Sequence, residues 1–227
     1  MSNQLNIVTI LKTGGDFSLS DVDLLTRNLK GRWPVVCVYC ITDAVGVPRM
    51  SDEGCSLIPM GDGNRHPGWW AKMNMFSPTY KPLRPFLYLD LDTAVVDTLE
   101  GIVPSAKHPR FIMLRDFYKP QKPASGMMWV PSVSKKLTLL WETWEKRKAL
   151  IMRKYRGDQD FIASVCKPDE YWQDITDKIS SFKPVNANKQ WLVDLPNHIN
   201  VVCFHGKPRI PAAARQVDWV ERYIKAK

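Results

Sequence analysis

One run, Phe86-Leu87-Tyr88-Leu89-Asp90-Leu91-Asp92, constrains this chain more than any other. It opens with four apolar or aromatic residues, and successive side chains of a strand point to opposite faces. Both faces must therefore be covered, as in the interior of an α/β sheet and unlike the half-wet sheet of an antiparallel hairpin. Asp90 and Asp92 stand two apart, so they are expected to point the same way as the strand leaves its sheet. Two convergent carboxylates repel unless a cation sits between them. Hard oxygen ligands with open positions suit Mg²⁺ or Mn²⁺ that also holds a phosphate. The competing reading of such a pair is a strand-end cap beside a merely solvated acid.

The rest of the chain alternates strand and helix without a repeat or linker. Strands are expected at Leu5–Leu11, Val35–Ile41, Cys55–Pro59, Phe86–Leu91, Phe111–Leu114, Met127–Val130 and Asn200–Phe204. Helices are expected from Ser18 or Ser20 to Leu29, and over Trp69–Phe76, Val133–Tyr155, Asp158–Val165 and Val217–Ile224. In the longest, Leu137, Leu140, Trp141, Trp144 and Leu150 form the expected apolar stripe. This order predicts one α/β domain over residues 1–227, a sandwich with a largely parallel central sheet. Ligands of such sheets sit beyond the carboxyl ends of strands, where Asp90, Asp92 and His205 all fall.

Three further segments carry chemistry. Val202-Cys203-Phe204-His205-Gly206-Lys207-Pro208 runs from an apolar strand into an imidazole, a glycine that admits close approach, and a mobile cation suited to phosphate. Gly157-Asp158-Gln159-Asp160 places acids and an amide at a helix start, where the dipole favours negative charge. Ala124-Ser125-Gly126-Met127 is a small-residue turn that lets a ligand touch backbone.

Taken in order, LYLDLD, SGMMW, GDQDF and FHGKP resemble the motifs of a nucleotide-sugar-dependent glycosyltransferase of the GT-A fold. The likeness is to the retaining family that includes glycogenin and bacterial lipopolysaccharide galactosyltransferases, here as a small phage-type or bacterial-type member. It implies a GT-A (Rossmann-like) α/β/α sandwich with a mixed, largely parallel sheet. It further implies that Asp90, Asp92 and His205 hold Mn²⁺ (or Mg²⁺) against the diphosphate of a UDP-sugar, with Lys207 and Gly206 beside that diphosphate. By the same resemblance Asp158 and Asp160 hold sugar hydroxyls, and Gln159 lies near the reacting carbon as an electrostatic support. Lys72 matches a basic donor contact, Ser125 and Gly126 back the donor sugar, and Thr9, Lys12 and Leu91 lie where the fold holds the nucleoside and metal.

Composition sets the remaining bounds. The net charge is +9, from 32 basic and 23 acidic residues, which favours an anionic partner. Two acceptors suit it: a hydroxymethylated base in DNA, or a lipopolysaccharide or other glycan on anionic headgroups. The basic tail Arg222–Lys227 belongs to the same excess. No apolar run reaches bilayer length and MSNQLNIVTILKTGG lacks a signal-peptide pattern, so a bacterial or host cytoplasm is expected. The five cysteines are scattered, and Cys37 and Cys40 of the one C-x-x-C should face opposite ways in a strand, as reduced thiols. Two other classes compete. A metal-dependent nucleotidyltransferase would leave FHGKP unexplained, and a basic DNA-binding module would find Asp90, Asp92 and Asp158 a liability.

Overall fold

The computed structural model describes residues 5–44, 49–61, 66–183 and 190–226. Met1–Gln4, at the head of the leader reading, and Lys227, at the end of the basic tail, lie outside the described residues. The strands in chain order are β1 (Leu5–Leu11), β2 (Val36–Thr42), β3 (Ser56–Pro59), β4 (Phe86–Leu89), β5 (Thr93–Val95), β6 (Ile112–Arg115), β7 (Pro123–Val130), β8 (Glu170–Tyr171), β9 (Ile179–Ser181) and β10 (Val201–Cys203). The helices are α1 (Leu19–Arg32), α2 (Lys135–Lys154), α3 (Asp158–Val165), α4 (Trp172–Ile175), α5 (Ile210–Ala213) and α6 (Asp218–Lys225). Gly68–Phe76 and Pro78–Leu83 are 3₁₀ helices.

Seven strands form one sheet in the order β3-β2-β1-β4-β7-β6-β8, in which only β7 runs against its neighbours. The expected mixed, largely parallel sheet is present. Its strands feed two cores by simple alternation. Leu87 and Leu89 of β4 join Met127 and Trp129 of β7 against α1, while Phe86 and Tyr88 join Met128 and Val130 against α2 and α3. Burying each such side chain is worth about 1.5–3 kcal/mol, which is why unbroken apolar runs select a two-faced sheet.

A second, three-stranded sheet, β5-β10-β9, carries the chain from Asp92 to His205. Its outer core joins Phe182 and Phe204 to Trp219 and Val220 of α6. Short strands of this kind carry too little periodicity to be read in advance, and β5, β8 and β9 were not expected from sequence.

Two sequence expectations need correction. Strand β4 stops at Leu89, so Asp90-Leu91-Asp92 is a turn, closed by the Thr93 N–H bonding to the Asp90 carbonyl at 3.0 Å. The carboxylates approach each other through that turn and not through strand alternation. In α2 the buried stripe is Leu137, Leu140, Trp144 and Ile151, whereas Leu150 is 52 % exposed. At about 100° per residue, Ile151 lies about 20° from the azimuth of Trp144 and Leu150 about 120° from it. The same helix bends at Arg147, whose backbone leaves the helical region (φ −137°, ψ 19°).

Candidate active site

The parallel register brings the carboxyl ends of β1, β4 and β6 to one edge of the sheet, and antiparallel β7 begins at that same edge. Asp90 follows β4 directly, and its backbone N–H bonds to the Gly126 carbonyl at 2.9 Å. Gly126 lies beside that acid: a β-carbon there would make ordinary contact with Asp90 Oδ2 at 3.5 Å. From the second sheet, the Phe204 N–H bonds to the Asp92 carbonyl at 2.9 Å, which hangs His205 over the acidic turn. Four segments far apart in sequence thus meet within one edge.

Two cavities open there. One, of about 650 Å³, is lined by Ile10, Lys12, Thr13–Phe17, Trp69, Tyr88 and Arg209. A second, of about 600 Å³, runs between the β6–β7 connection and the start of α3, reaching His205 and Gln159. Trp69, Lys72, Asp90 and Asp92 line both, so the carboxylate turn is the partition between them. The two tryptophans of Trp69-Trp70 divide their duties: Trp69 is 61 % exposed in the cavities, while Trp70 is buried and stacks on Trp144 at 5.3 Å.

Lys72 ties the partition together. Its ammonium lies 2.9 Å from Asp90 Oδ1, 3.5 Å from Asp158 Oδ2 and 3.1 Å from Ser125 Oγ, and the Ser125 hydroxyl donates to Asp158 at 2.7 Å. Tyr88 donates its hydroxyl to Asp90 at 2.5 Å. Burial alone would favour the neutral amine of Lys72, but the charges of Asp158 and Asp90 outweigh it and raise its pKa above the ordinary lysine value. Arg209 pairs with Asp92, bonds Asp16 at 3.1 Å and lies 4.5 Å over the Phe17 ring. Burial, then the neighbouring charge of Asp90, pushes the Asp92 carboxyl up despite Arg209 and Lys72.

Of the residues singled out from sequence, Asp90, Asp92, Leu91, Lys12 and Lys72 line the first cavity. Asp90, Asp92, Lys72, Ser125, Gly126, Asp158, Gln159, Asp160 and His205 line the second. Lys12 is engaged with Asp43 at 2.5 Å, in a carboxylate that also takes the Thr13 N–H at 2.7 Å. Asp158 is buried against Ser125 and Lys72, whereas Gln159 donates its amide to Asp116 at 3.4 Å and Asp160 stands 3.9 Å from Lys122. Three expectations are not met by placement. Thr9 is fully buried and lines neither cavity, Ile10 taking the wall instead. Gly206 and Lys207 are exposed and line neither cavity, because the chain turns outward at Gly206 (φ +78°). From this segment the cation that reaches the carboxylates is Arg209, which lies two residues further on, pairs with Asp92 and was missed by sequence reasoning. Its signal was its place in the same Lys-Pro-Arg exit from β10.

The donor set fits a divalent ion in kind: two carboxylates near enough to raise the pKa of Asp92, and an imidazole whose pKa burial and the Lys183 charge depress. In the present arrangement His205 Nε2 is instead 2.6 Å from Ser181 Oγ, with its ring stacked on Phe117 at 5.5 Å. Among the described residues no three His, Cys, Asp or Glu side chains are assembled as a ligand cluster. An ion would exchange with Lys72 and Arg209 at the acids and with Ser181 at His205. The five cysteines are free, and Cys37 alone of them is not buried.

The fold defined by this sheet order and edge is the GT-A-like, Rossmann-type α/β fold of glycosyltransferases. The solved structures it resembles make that concrete. A crystal structure of the glycosyltransferase GlyE in Streptococcus pneumoniae TIGR4 superposes with a TM-score of 0.70 at 14% identity, covering 100% of this chain and 61% of that chain. Its apo-form gives 0.67 at 14% identity, over 99% of this chain and 61% of that one. The chain therefore spans about three fifths of the length of the structures it matches. No family model and no curated protein matches the sequence.

Proposed function

We propose that the chain is a glycosyltransferase that moves a sugar from a nucleoside-diphosphate sugar, a UDP-sugar in our reading, to an acceptor hydroxyl. The observation that carries the proposal is the partition: two cavities of about 650 and 600 Å³ share Asp90, Asp92, Lys72 and Trp69 at a sheet edge of the GT-A type. The first cavity would hold the nucleoside between the β1 exit and Trp69. The second would hold the sugar and admit the acceptor.

Mn²⁺ (or Mg²⁺), held by Asp90, Asp92 and His205, would offset charge on the departing diphosphate. The chain's own residues do the rest. Arg209, freed from Asp92, is placed to meet the diphosphate, the role that sequence alone gave to Lys207. Lys72 holds Asp90 and Asp158 in place, and Ser125 and Gly126 form the floor under the sugar. Asp160 and Gln159 face the sugar from the start of α3, Gln159 orienting and supporting charge rather than forming a covalent bond. In the transfer the acceptor oxygen bonds to the anomeric carbon as that carbon's bond to the diphosphate oxygen breaks. The hydroxyl proton leaves with the diphosphate, on the same face, so configuration is retained. The acceptor in this reading is anionic, with hydroxymethylated DNA as its leading form. No described helix is long and apolar enough to cross a membrane.

Thermal denaturation with UDP tests this directly. At about 100 times the dissociation constant, a ligand adds about 2.7 kcal/mol. For a chain of this size that raises Tm by roughly 5–11 °C. The rise should require Mn²⁺ and vanish with chelator; a rise that ignores Mn²⁺ would overturn the metal assignment.

A further inference from the structure

The second cavity has a mouth through which the sugar-transfer reading admits an acceptor without saying what binds there. The β6–β7 connection forms its outer lip and is fixed by its own hydrogen bonds. Asp116 Oδ1 accepts the N–H groups of Tyr118 and Lys119 at 2.8 and 2.9 Å, and the Asp116 N–H bonds to the Lys122 carbonyl at 2.8 Å. This presents the Tyr118 ring 54 % exposed, edge-on to His205 at 5.3 Å. Lys119, Lys122 and Arg156 line the same cavity. Lys122 stands 3.9 Å from Asp160, while Lys119 and Arg156 have no carboxylate partner among the described residues. Arg156 also ends a basic track: from Lys146 to Arg156 the sequence carries six cations and no acid, of which Lys146, Arg147, Arg153 and Lys154 are exposed along the end of α2.

We propose that this mouth binds single-stranded nucleic acid, with phosphodiesters held by Lys119, Lys122 and Arg156 and one base stacked on Tyr118. The strand then continues along the 146–156 track. An exposed ring in a mouth lined by cations, two of them without a carboxylate partner among the described residues, is the arrangement by which proteins hold single strands, because every base has a face to stack and every linkage a charge. A membrane surface would meet the cations but has no planar group to fill the place beside Tyr118 in a recessed mouth. As an acceptor site the proposal rests on the glycosyltransferase reading; as a binding site it stands without it.

Fluorescence anisotropy with a labelled single-stranded DNA 16-mer, without donor, tests the site. Three phosphate contacts predict a log–log salt slope of about −2 from these cations alone, at about 0.7 per contact. Lys119→Ala/Arg156→Ala should weaken binding and flatten the slope by about 1.4. Tyr118→Ala should weaken binding about tenfold with the slope unchanged. The thermal shift with UDP and Mn²⁺, measured on the Lys119→Ala/Arg156→Ala protein, should match that of the parent chain and so report an intact fold and donor site. If that shift is absent in the parent chain while the oligonucleotide binds as described, the donor reading fails and the strand site stands. No oligonucleotide binding at 50 mM salt, variants that bind like the parent, or binding to phosphatidylglycerol vesicles in place of the oligonucleotide would each overturn the proposal.

Discussion

Lys72→Met is the substitution whose cost follows most directly from the structure. Methionine matches the aliphatic stem but removes a charge buried between two acids, at 2.9 Å from Asp90 and 3.5 Å from Asp158. At an effective dielectric of about 20, those separations correspond to attractions of about 6 and about 5 kcal/mol. Desolvation of the ammonium offsets much of this in the parent chain. Asp158, with a side chain only 7 % exposed, is left in the variant as a buried charge without a counter-ion. Removing one partner of a buried pair costs about 3–5 kcal/mol, and two pairs place this variant near the top of that range. For this chain length the loss lowers Tm by roughly 10–20 °C. Adding Asp158→Asn should restore at least half of the loss, because the stranded charge is then gone and the amide keeps the hydrogen bond from Ser125. Thermal and urea denaturation of the four proteins in the cycle measure it. A Lys72→Met deficit below about 1 kcal/mol, or no recovery in the double variant, would refute the claim that Lys72 neutralises buried acids.

Other expected outcomes follow from single features. Asp92→Asn should abolish the Mn²⁺-dependent part of the UDP thermal shift and most turnover; calorimetric titration with Mn²⁺ and UDP checks it, and undiminished binding would remove Asp92 from the metal site. Ile151→Ala should cost about 2–4 kcal/mol in urea denaturation while Leu150→Ala stays within about 0.5, because only the first leaves a cavity. In Asp169, burial pushes the carboxyl up, but bonds from Lys136 and the Phe111 N–H, with Lys136 and Arg110 charges, hold it below the ordinary value. Its stabilising effect is therefore complete above the unfolded value of about 3.9 and is lost as pH falls through the lower folded value. Asp169→Asn should lower Tm at pH 7 and by progressively less toward pH 3; a constant difference would contradict the ion-pair account.

Much of the sheet was legible because its strands need both faces buried. Phe86–Leu89 and Leu5–Leu11 carry that requirement in their own composition, and their register brings Asp90 and Lys12 to one edge. The site was legible where residues flank such strands: Asp90, Ser125 and Asp158 meet within one network. It failed where placement depends on turns and long-range packing. Thr9 points into the core because strand parity, and not proximity to the strand end, decides its face. Lys207 turns away at Gly206, and Arg209 returns to Asp92 because α5 begins immediately after it. Of the second sheet only β10 was expected, because the three-residue strands β5 and β9 leave no period to read. The expected stripe of α2 ended on Leu150, whereas seven residues on from Trp144 stands Ile151, which is the buried one.

The most direct test of the central claim is nucleoside-diphosphate release from a panel of nucleoside-diphosphate sugars, with and without Mn²⁺, for the parent chain and Asp92→Asn. The account predicts release from at least one donor, dependent on Mn²⁺ and lost in the variant. Release from none, with no stabilisation by UDP and Mn²⁺, would mean that the edge formed by Asp90, Asp92 and Lys72 is not a sugar-transfer site.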